Sequence, residues 1–128
     1  MSLRILIADD ELQIRHALRQ IIEQHDGWTV CGEATNGVEA VEKAAQLHPD
    51  LILLDISMPS LDGLSALPRI KQQSPHSGVL ILTLHESLDL ARLSSSAGAW
   101  GYMTKSLASS ELVLAVETFE AAGAEPSA

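Results

Sequence analysis

The chain alternates short, continuous apolar runs with longer segments whose apolar residues recur every three or four positions. Residues 51–54 and 79–82 are uninterrupted apolar runs, which are typical of strands covered on both faces in a parallel sheet. A similar run at residues 3–8 ends in an acidic loop, and shorter strands are predicted at residues 29–32 and 100–103. The pattern therefore predicts five strands.

Amphipathic segments after these runs predict five helices. The first is indicated by apolar residues at helical spacing before Asp26-Gly27, and the second follows Asn36-Gly37 and stops at Pro49. The remaining helices are predicted at residues 64–73, 87–97 and 110–119. Proline is poorly tolerated beyond the first turn of a helix, so the third helix is expected to begin close to Pro68.

Strictly alternating strands and helices predict an α/β fold, an open parallel sheet with helices on both faces. Ligands in such folds bind at the carboxyl ends of the strands, where the strand order reverses. Polar residues stand at the ends of three predicted strands, and a fourth strand leads into a lysine: these residues are Asp9, Asp10, Asp55, Thr83 and Lys105. We expect their side chains to meet at one edge of the sheet.

The chemistry of this set is that of phosphoryl acceptance. Three carboxylates in one pocket repel each other, by about 4 kcal/mol per pair at 4 Å and an effective dielectric near 20, so a cation must offset them. Mg²⁺ suits one or two carboxylates and bridges readily to phosphate oxygens. Asp55 stands alone after its strand and is the best candidate nucleophile, while Lys105 and Thr83 would contact the incoming oxygens. Taken singly, Asp9, Asp10, Thr83 or Lys105 is better explained as a helix cap or a solvated loop residue, but the whole set at one sheet edge favours the phosphoryl site.

Length and composition limit the other possibilities. At 128 residues the chain fits one domain, expected over residues 1–120, with residues 121–128 as a tail or the start of a linker. A net charge of −9 with only eight basic residues argues against nucleic-acid binding by this stretch itself. No apolar run approaches the roughly 18 residues of a membrane span, so we expect a soluble, cytoplasmic protein. Cys31 is the only cysteine, which excludes an internal disulfide and favours a buried, inert thiol.

Five segments together resemble the receiver domain of two-component response regulators over nearly the whole chain. They agree with that family in order and spacing, and they are residues 7–11 (IADDE), 49–59 (PDLILLDISMP), 61–63 (LDG), 82–83 (LT) and 101–105 (GYMTK). The resemblance implies a flavodoxin-like (βα)5 fold with strand order 2-1-3-4-5. It also implies a switch that catalyses only its own phosphorylation and dephosphorylation.

The resemblance assigns a role to each site residue. Asp55 would accept a phosphoryl group from a sensor histidine kinase, and Asp9 and Asp10 would hold Mg²⁺ with Asp55. The main-chain carbonyl of Ser57 would complete the protein's share of the metal ligands. Thr83 and Lys105 would contact the phosphoryl group.

Tyr102 resembles the family's switch aromatic, which turns inward as Thr83 follows the phosphate and so alters the surface of the fourth helix, fifth strand and fifth helix. A half-buried packing role for Tyr102 stays open. Trp100 has two equally plausible roles: exposure on the partner-binding face, or packing over the sheet edge.

Residues 32–37 (GEATNG) and 98–102 (GAWGY) resemble the subgroup with a C-terminal LuxR-type helix-turn-helix domain. This implies that DNA is bound by a further domain absent from this chain. Whether phosphorylation leads to a homodimer stays open. Three positions are expected to tune how fast the phosphoryl group is accepted or lost. Leu84 replaces the family's usual small residue and would narrow access, and Ser57 and His85 occupy variable positions beside the route of the hydrolytic water.

Two alternatives stay open. A phosphohydrolase with an aspartyl-phosphate intermediate would need an acid two residues after the nucleophile, where this chain has Ser57. A phosphorylation-independent interaction module would not need the acidic residues, Thr83 and Lys105 together. Nucleotide binding is disfavoured because no glycine-rich loop follows the first strand.

Overall fold

The computed structural model describes residues 2–84 and 87–123, in which one parallel sheet is covered by helices. The sheet has five strands in the order β2-β1-β3-β4-β5. The strands are β1 (Leu3–Ala8), β2 (Trp28–Ala34), β3 (Leu51–Asp55), β4 (Gly78–Thr83) and β5 (Gly101–Thr104). The α/β fold class and the predicted strand order are confirmed.

Each strand is followed by a helix within the described residues. The helices are α1 (Leu12–Glu23), α2 (Gly37–Leu47), α3 (Gly63–Gln73), α4 (Leu88–Ser96) and α5 (Ala108–Ala121), and a short 3-10 turn at Lys105–Leu107 separates β5 from α5. Asn36, Asp62 and Ser87 accept hydrogen bonds from main-chain N–H groups in the first turns of α2, α3 and α4. These caps explain why the three helices begin where they do.

The apolar runs are buried on both faces, as their sequence predicts. Residues 51–54 and 79–82 are at most 2% exposed. Alternate residues point to opposite layers, so Leu51, Leu53, Leu80 and Leu82 pack with α1 and α5 around Phe119, while their neighbours pack against α2 and α3. Because both faces are covered, only the ends of the strands are open to ligands.

Two details differ from the sequence prediction. β2 continues to Ala34, because its pairing with β1 extends to Ala8 opposite Ala34. The prediction that α3 begins close to Pro68 is wrong, since Asp62 caps α3 and Pro68 is its sixth residue. Pro68 is exposed, so the helical carbonyl that lacks an N–H partner there can be solvated.

The described helices are all too short or too polar to cross a lipid bilayer.

Candidate functional site at the carboxyl edge of the sheet

Three carboxylates meet where the strand order changes between β1 and β3. The register pairs Ala8 with Leu54, so Asp9 and Asp55 follow at the same level of neighbouring strands. One carboxylate oxygen from each of Asp9, Asp10 and Asp55 lies within 4.8 Å of the others. Asp9 and Asp55 are 0% and 2% exposed, whereas Asp10 is exposed. The predicted meeting of these side chains is thus observed.

Lys105 lies between the two buried carboxylates. Its Nζ is 2.7 Å from Asp9 Oδ2 and 3.2 Å from Asp55 Oδ1, and only 8% of its side chain is exposed. The sequence placed Lys105 at this edge as a phosphoryl contact, and the structure shows that it also neutralises part of the acidic charge. The position at the start of the 3-10 turn after β5 directs the side chain across the strand ends.

Burial shapes the acidity of Asp55. Removal from water raises the pKa of its carboxyl to about 6, and the nearby charge of Asp9 adds to the rise. The Ser57 N–H, which donates to Asp55 Oδ1 at 3.2 Å, and the Lys105 ammonium both oppose it. Burial alone would lower the pKa of Lys105, but the hydrogen bond to Asp9 and the charges of Asp55 and Asp9 raise it. A further cation in the pocket would favour the ionised Asp55.

The donor set fits Mg²⁺. Carboxylate oxygens are the ligands that Mg²⁺ prefers, and three of them are close together here. Asp9 Oδ1 already accepts from the Glu11 N–H at 2.9 Å. Asp9 Oδ2 is buried beside the Lys105 ammonium, 2.7 Å from Nζ. An inward-facing oxygen of this kind is suited to a metal ion.

Thr83 ends β4 beside the carboxylates. The register pairs Asp55 with Leu82, and Thr83 follows as a buried residue, 4% exposed. Leu84 is 62% exposed, and Ser57 is exposed at the rim. His85 lies outside the described residues. The roles of these four residues stay predictions.

Tyr102 links β5 to the beginning of α4. Its hydroxyl oxygen accepts a hydrogen bond from the main-chain N–H of Ser87 at 3.1 Å, and Ser87 is the residue that caps α4. The ring is partly buried. A movement of the Tyr102 side chain would therefore alter a hydrogen bond at the N-terminus of α4.

Trp100 is partly buried and packs edge-on against Phe119, with ring centroids 5.3 Å apart at 87°. The structure favours the packing role over full exposure on a partner-binding face. Cys31 is only partly buried, and desolvation raises the pKa of its thiol, which is consistent with an unreactive side chain.

Two supporting residues were not singled out from the sequence. Arg15 donates from Nη1 to the main-chain carbonyl of Asp9 at 2.8 Å. A Cβ on Gly63 would stand 2.1 Å from the carbonyl oxygen of Asp55, so only glycine fits there. The available signals were an arginine on α1 soon after the acidic loop, and the glycine of the Leu61-Asp62-Gly63 segment.

Comparison with known protein families identifies the family of this chain. The response regulator receiver domain family matches residues 5–117. This chain belongs to that family. In its structure, Asp9, Asp10, Asp55 and Lys105 lie together at one edge of the sheet.

Relatives of this receiver domain include transcriptional regulators and LuxR-family response regulators. The transcriptional regulatory protein YdfI of Bacillus subtilis is 39% identical over 85% of this chain and 51% of the relative. A two-component response regulator of the LuxR family from Aurantimonas sp. SI85-9A1 superposes with a TM-score of 0.89 at 34% identity, covering 95% of this chain and 87% of that one. The chain spans about half the length of the curated relatives it matches.

A further solved relative is CheY from Borrelia burgdorferi, in a complex with CheX, BeF3 and Mg²⁺. It superposes with a TM-score of 0.85 at 26% identity, covering 91% of this chain and 87% of that one.

Proposed function

We propose that this receiver domain is a signalling switch in which Asp55 accepts a phosphoryl group from a histidine of a partner kinase. The observation that supports the proposal most is the placement of the Asp55 carboxylate, buried beside Asp9 and Lys105 at the ligand-binding edge of the sheet. Membership of the response regulator family fits this role.

The proposed step exchanges one bond for another. An oxygen of ionised Asp55 forms a bond to phosphorus while the bond from phosphorus to the kinase imidazole nitrogen breaks, and that nitrogen keeps the electron pair. The protein's task is positioning and charge neutralisation. Lys105 Nζ, already 3.2 Å from Asp55 Oδ1, is placed to pair with a phosphoryl oxygen, and the Thr83 hydroxyl would donate to another.

Mg²⁺ would be held by Asp9, Asp10, Asp55 and the carbonyl of Ser57, and when bound it would neutralise charge on the phosphoryl oxygens. The three carboxylates that lie together support this assignment. So does the Borrelia CheY relative, which contains Mg²⁺.

The proposed output runs through α4, β5 and α5. Thr83 would follow the phosphoryl group, Tyr102 would then move, and the hydrogen bond from Ser87 N–H to Tyr102 would change. A ligand shifts a two-state equilibrium only through contacts that differ between the states, and Thr83 and Lys105 are the groups able to supply them. Ser57 and His85 are proposed to set how long the phosphorylated state lasts, and Leu84 to slow phosphorylation by small donors.

The biological setting is proposed from the relatives. A sensor histidine kinase would supply the phosphoryl group, and a LuxR-type helix-turn-helix domain outside this chain would bind DNA, with phosphorylation promoting a homodimer. Transcriptional relatives of which this chain covers only about half support that arrangement. Regulation of transcription would place the protein in the cytoplasm.

The proposal predicts that the purified domain gains one phosphoryl group from acetyl phosphate or phosphoramidate when Mg²⁺ is present, and little without it. Intact mass spectrometry measures the gain, and inorganic phosphate release measures turnover. Continuous hydrolysis of a generic phosphate ester would favour a phosphohydrolase instead. No gain from either donor, with Mg²⁺ bound, would favour an interaction module that does not use phosphorylation.

The proposed switch predicts changes in hydrogen exchange at the Ser87 amide. In the unphosphorylated domain, Tyr102→Phe should speed hydrogen exchange at the Ser87 amide, because the hydrogen bond that this N–H donates to the Tyr102 hydroxyl is removed. Phosphorylation of the parent should speed exchange at the same amide. Lys105→Ala should still accept the phosphoryl group, more slowly, but should not pass the change on to Ser87. An equal exchange response in Lys105→Ala and the parent would contradict this route, as measured by hydrogen-exchange mass spectrometry or NMR.

A further inference from the structure

We propose that Arg15 is a positioning residue for the acidic pocket: anchored on Glu33, its guanidinium holds the main chain of Asp9 so that the Asp9 and Asp10 carboxylates face Asp55. The inference rests on the proposed function, since it concerns how the proposed Mg²⁺ ligands are kept in place.

Arg15 joins three elements with one side chain. Its Nη1 donates to the carbonyl oxygen of Asp9 at 2.8 Å, and its Nε donates to Glu33 Oε1 at 2.9 Å. Only 11% of the side chain is exposed. The guanidinium is planar and presents several donors in a fixed arrangement, so it can hold both partners at once. Arg15 thereby ties α1 to the ends of β1 and β2.

Glu33 is itself firmly held. Arg19 donates to Glu33 Oε2 from Nε and Nη2, at 2.9 and 2.6 Å, and Lys43 donates to the main-chain carbonyl of Glu33. Burial would raise the pKa of Glu33, but the hydrogen bonds from Arg19 and Arg15 lower it overall. Glu33 is thus a fixed anion at neutral pH, and Arg15 has a rigid support on the side away from the pocket.

Arg15 completes the fixation of Asp9. The Asp9 N–H donates to the Ala34 carbonyl at 3.0 Å, and Asp9 Oδ1 accepts from the Glu11 N–H at 2.9 Å. With the carbonyl held by Arg15, both main-chain polar groups and one carboxylate oxygen are committed, and Oδ2 faces the pocket beside Lys105. Loss of Arg15 would free the peptide that joins Asp9 to Asp10, and with it the spacing of two proposed metal ligands.

The charge of Arg15 and its positioning role predict opposite changes in Mg²⁺ affinity when Arg15 is replaced. By charge alone, losing a cation near an acidic pocket would tighten Mg²⁺ binding. If Arg15 orients the metal ligands, its loss should weaken Mg²⁺ binding. Groups that orient metal ligands commonly contribute ten- to a hundredfold in metal affinity. The direction of the change therefore separates the two effects.

The test measures Mg²⁺ affinity by isothermal titration calorimetry in the parent, Arg15→Gln and Arg19→Gln. Both substitutions remove one positive charge from the group around Glu33, but only Arg15 contacts Asp9. We expect Arg15→Gln to weaken Mg²⁺ binding about tenfold. Arg19→Gln should leave it unchanged or slightly tighter. In metal-free protein, the Glu11 amide should exchange faster in Arg15→Gln than in Arg19→Gln.

Unchanged or tighter Mg²⁺ binding in folded Arg15→Gln would overturn the inference, and so would an equal loss in Arg19→Gln. Should Arg15→Gln fail to fold, Arg15→Lys keeps the charge but cannot make both contacts, and it should weaken Mg²⁺ binding. Parental affinity in Arg15→Lys would contradict the positioning role. A parent that binds no Mg²⁺ would instead count against the proposed function, and the Glu11 exchange comparison would still test Arg15.

Discussion

Replacing Asp55 by Asn is expected to raise the free energy of unfolding of the metal-free receiver domain at pH 7 by about 1–3 kcal/mol. The folded protein raises the pKa of this carboxyl from 3.8 to about 6, mainly by burying it. Holding it ionised at neutral pH therefore costs stability. Asparagine has nearly the same shape and no charge, so the cost disappears.

The direction of the Asp55 pKa shift determines how the stability difference between Asp55→Asn and the parent depends on pH. Between the unfolded pKa of 3.8 and the folded pKa of about 6, the folded state binds the proton more tightly than the unfolded state. The stability difference between Asp55→Asn and the parent should thus be full above about pH 6, shrink as the pH falls through this window, and vanish near pH 4. Urea unfolding at several pH values, in the presence of a chelator, measures it.

Asp62→Asn is the matched control. It makes the same change of charge at an exposed position, and asparagine caps a helix as well as aspartate does, so stability should change by less than about 0.5 kcal/mol. Saturating Mg²⁺ should reverse the order of stability, because a ligand stabilises the folded state that binds it and Asp55→Asn lacks one proposed ligand. A metal-free Asp55→Asn protein less stable than its parent at pH 7 would contradict the description of this pocket.

Gly63→Ala is expected to destabilise the domain by about 3 kcal/mol and to weaken Mg²⁺ binding. The added Cβ would stand 2.1 Å from the Asp55 carbonyl oxygen and 2.8 Å from Ile56 Cα, and main chain cannot swing aside as a flexible side chain can. The Gly63 N–H also donates to the Ile56 carbonyl at 3.0 Å, so α3 and the loop after β3 would be pushed apart. Thermal or urea unfolding and calorimetry measure the two effects.

Gly27→Ala provides the contrast for this prediction. Gly27 has a φ of 86° but nothing within 4 Å of the added Cβ, so the cost should be limited to the left-handed backbone, about 1 kcal/mol, with Mg²⁺ binding unchanged. Equal losses in the two variants, or normal Mg²⁺ affinity in Gly63→Ala, would show that close packing under Asp55 does not position it.

The sequence predicts which acidic side chains meet at the carboxyl edge, because that meeting depends on local pattern and sheet geometry. Asp9 and Asp55 each follow an apolar strand, and neighbouring parallel strands bring such ends level. The five strand-helix units are confirmed for the same reason. The placement of Pro68 was wrong because a capping aspartate and an exposed face can override an unfavourable residue within a helix.

The supporting contacts could not be predicted because they join residues far apart in sequence. Arg15 and Glu33 are 18 residues apart and meet only when α1 packs beside the end of β2. Trp100 and Phe119 are also far apart in sequence, and their rings come into contact only in the folded chain. The sequence alone leaves two roles open for Trp100. Lys105 was placed at the edge, but its position between Asp9 and Asp55 depends on the direction of the 3-10 turn after β5.

The proposal that Asp55 is the phosphoryl acceptor is tested most directly by locating the phosphoryl group on the chain. An acyl phosphate is reduced by borohydride, which converts a phosphorylated aspartate into homoserine, and peptide mass spectrometry then identifies the position. After treatment with acetyl phosphate and Mg²⁺, we expect homoserine at position 55, none at positions 9 or 10, and no phosphoryl gain in Asp55→Asn. Homoserine at position 9 or 10 in the parent, or an undiminished phosphoryl gain in Asp55→Asn, would contradict it.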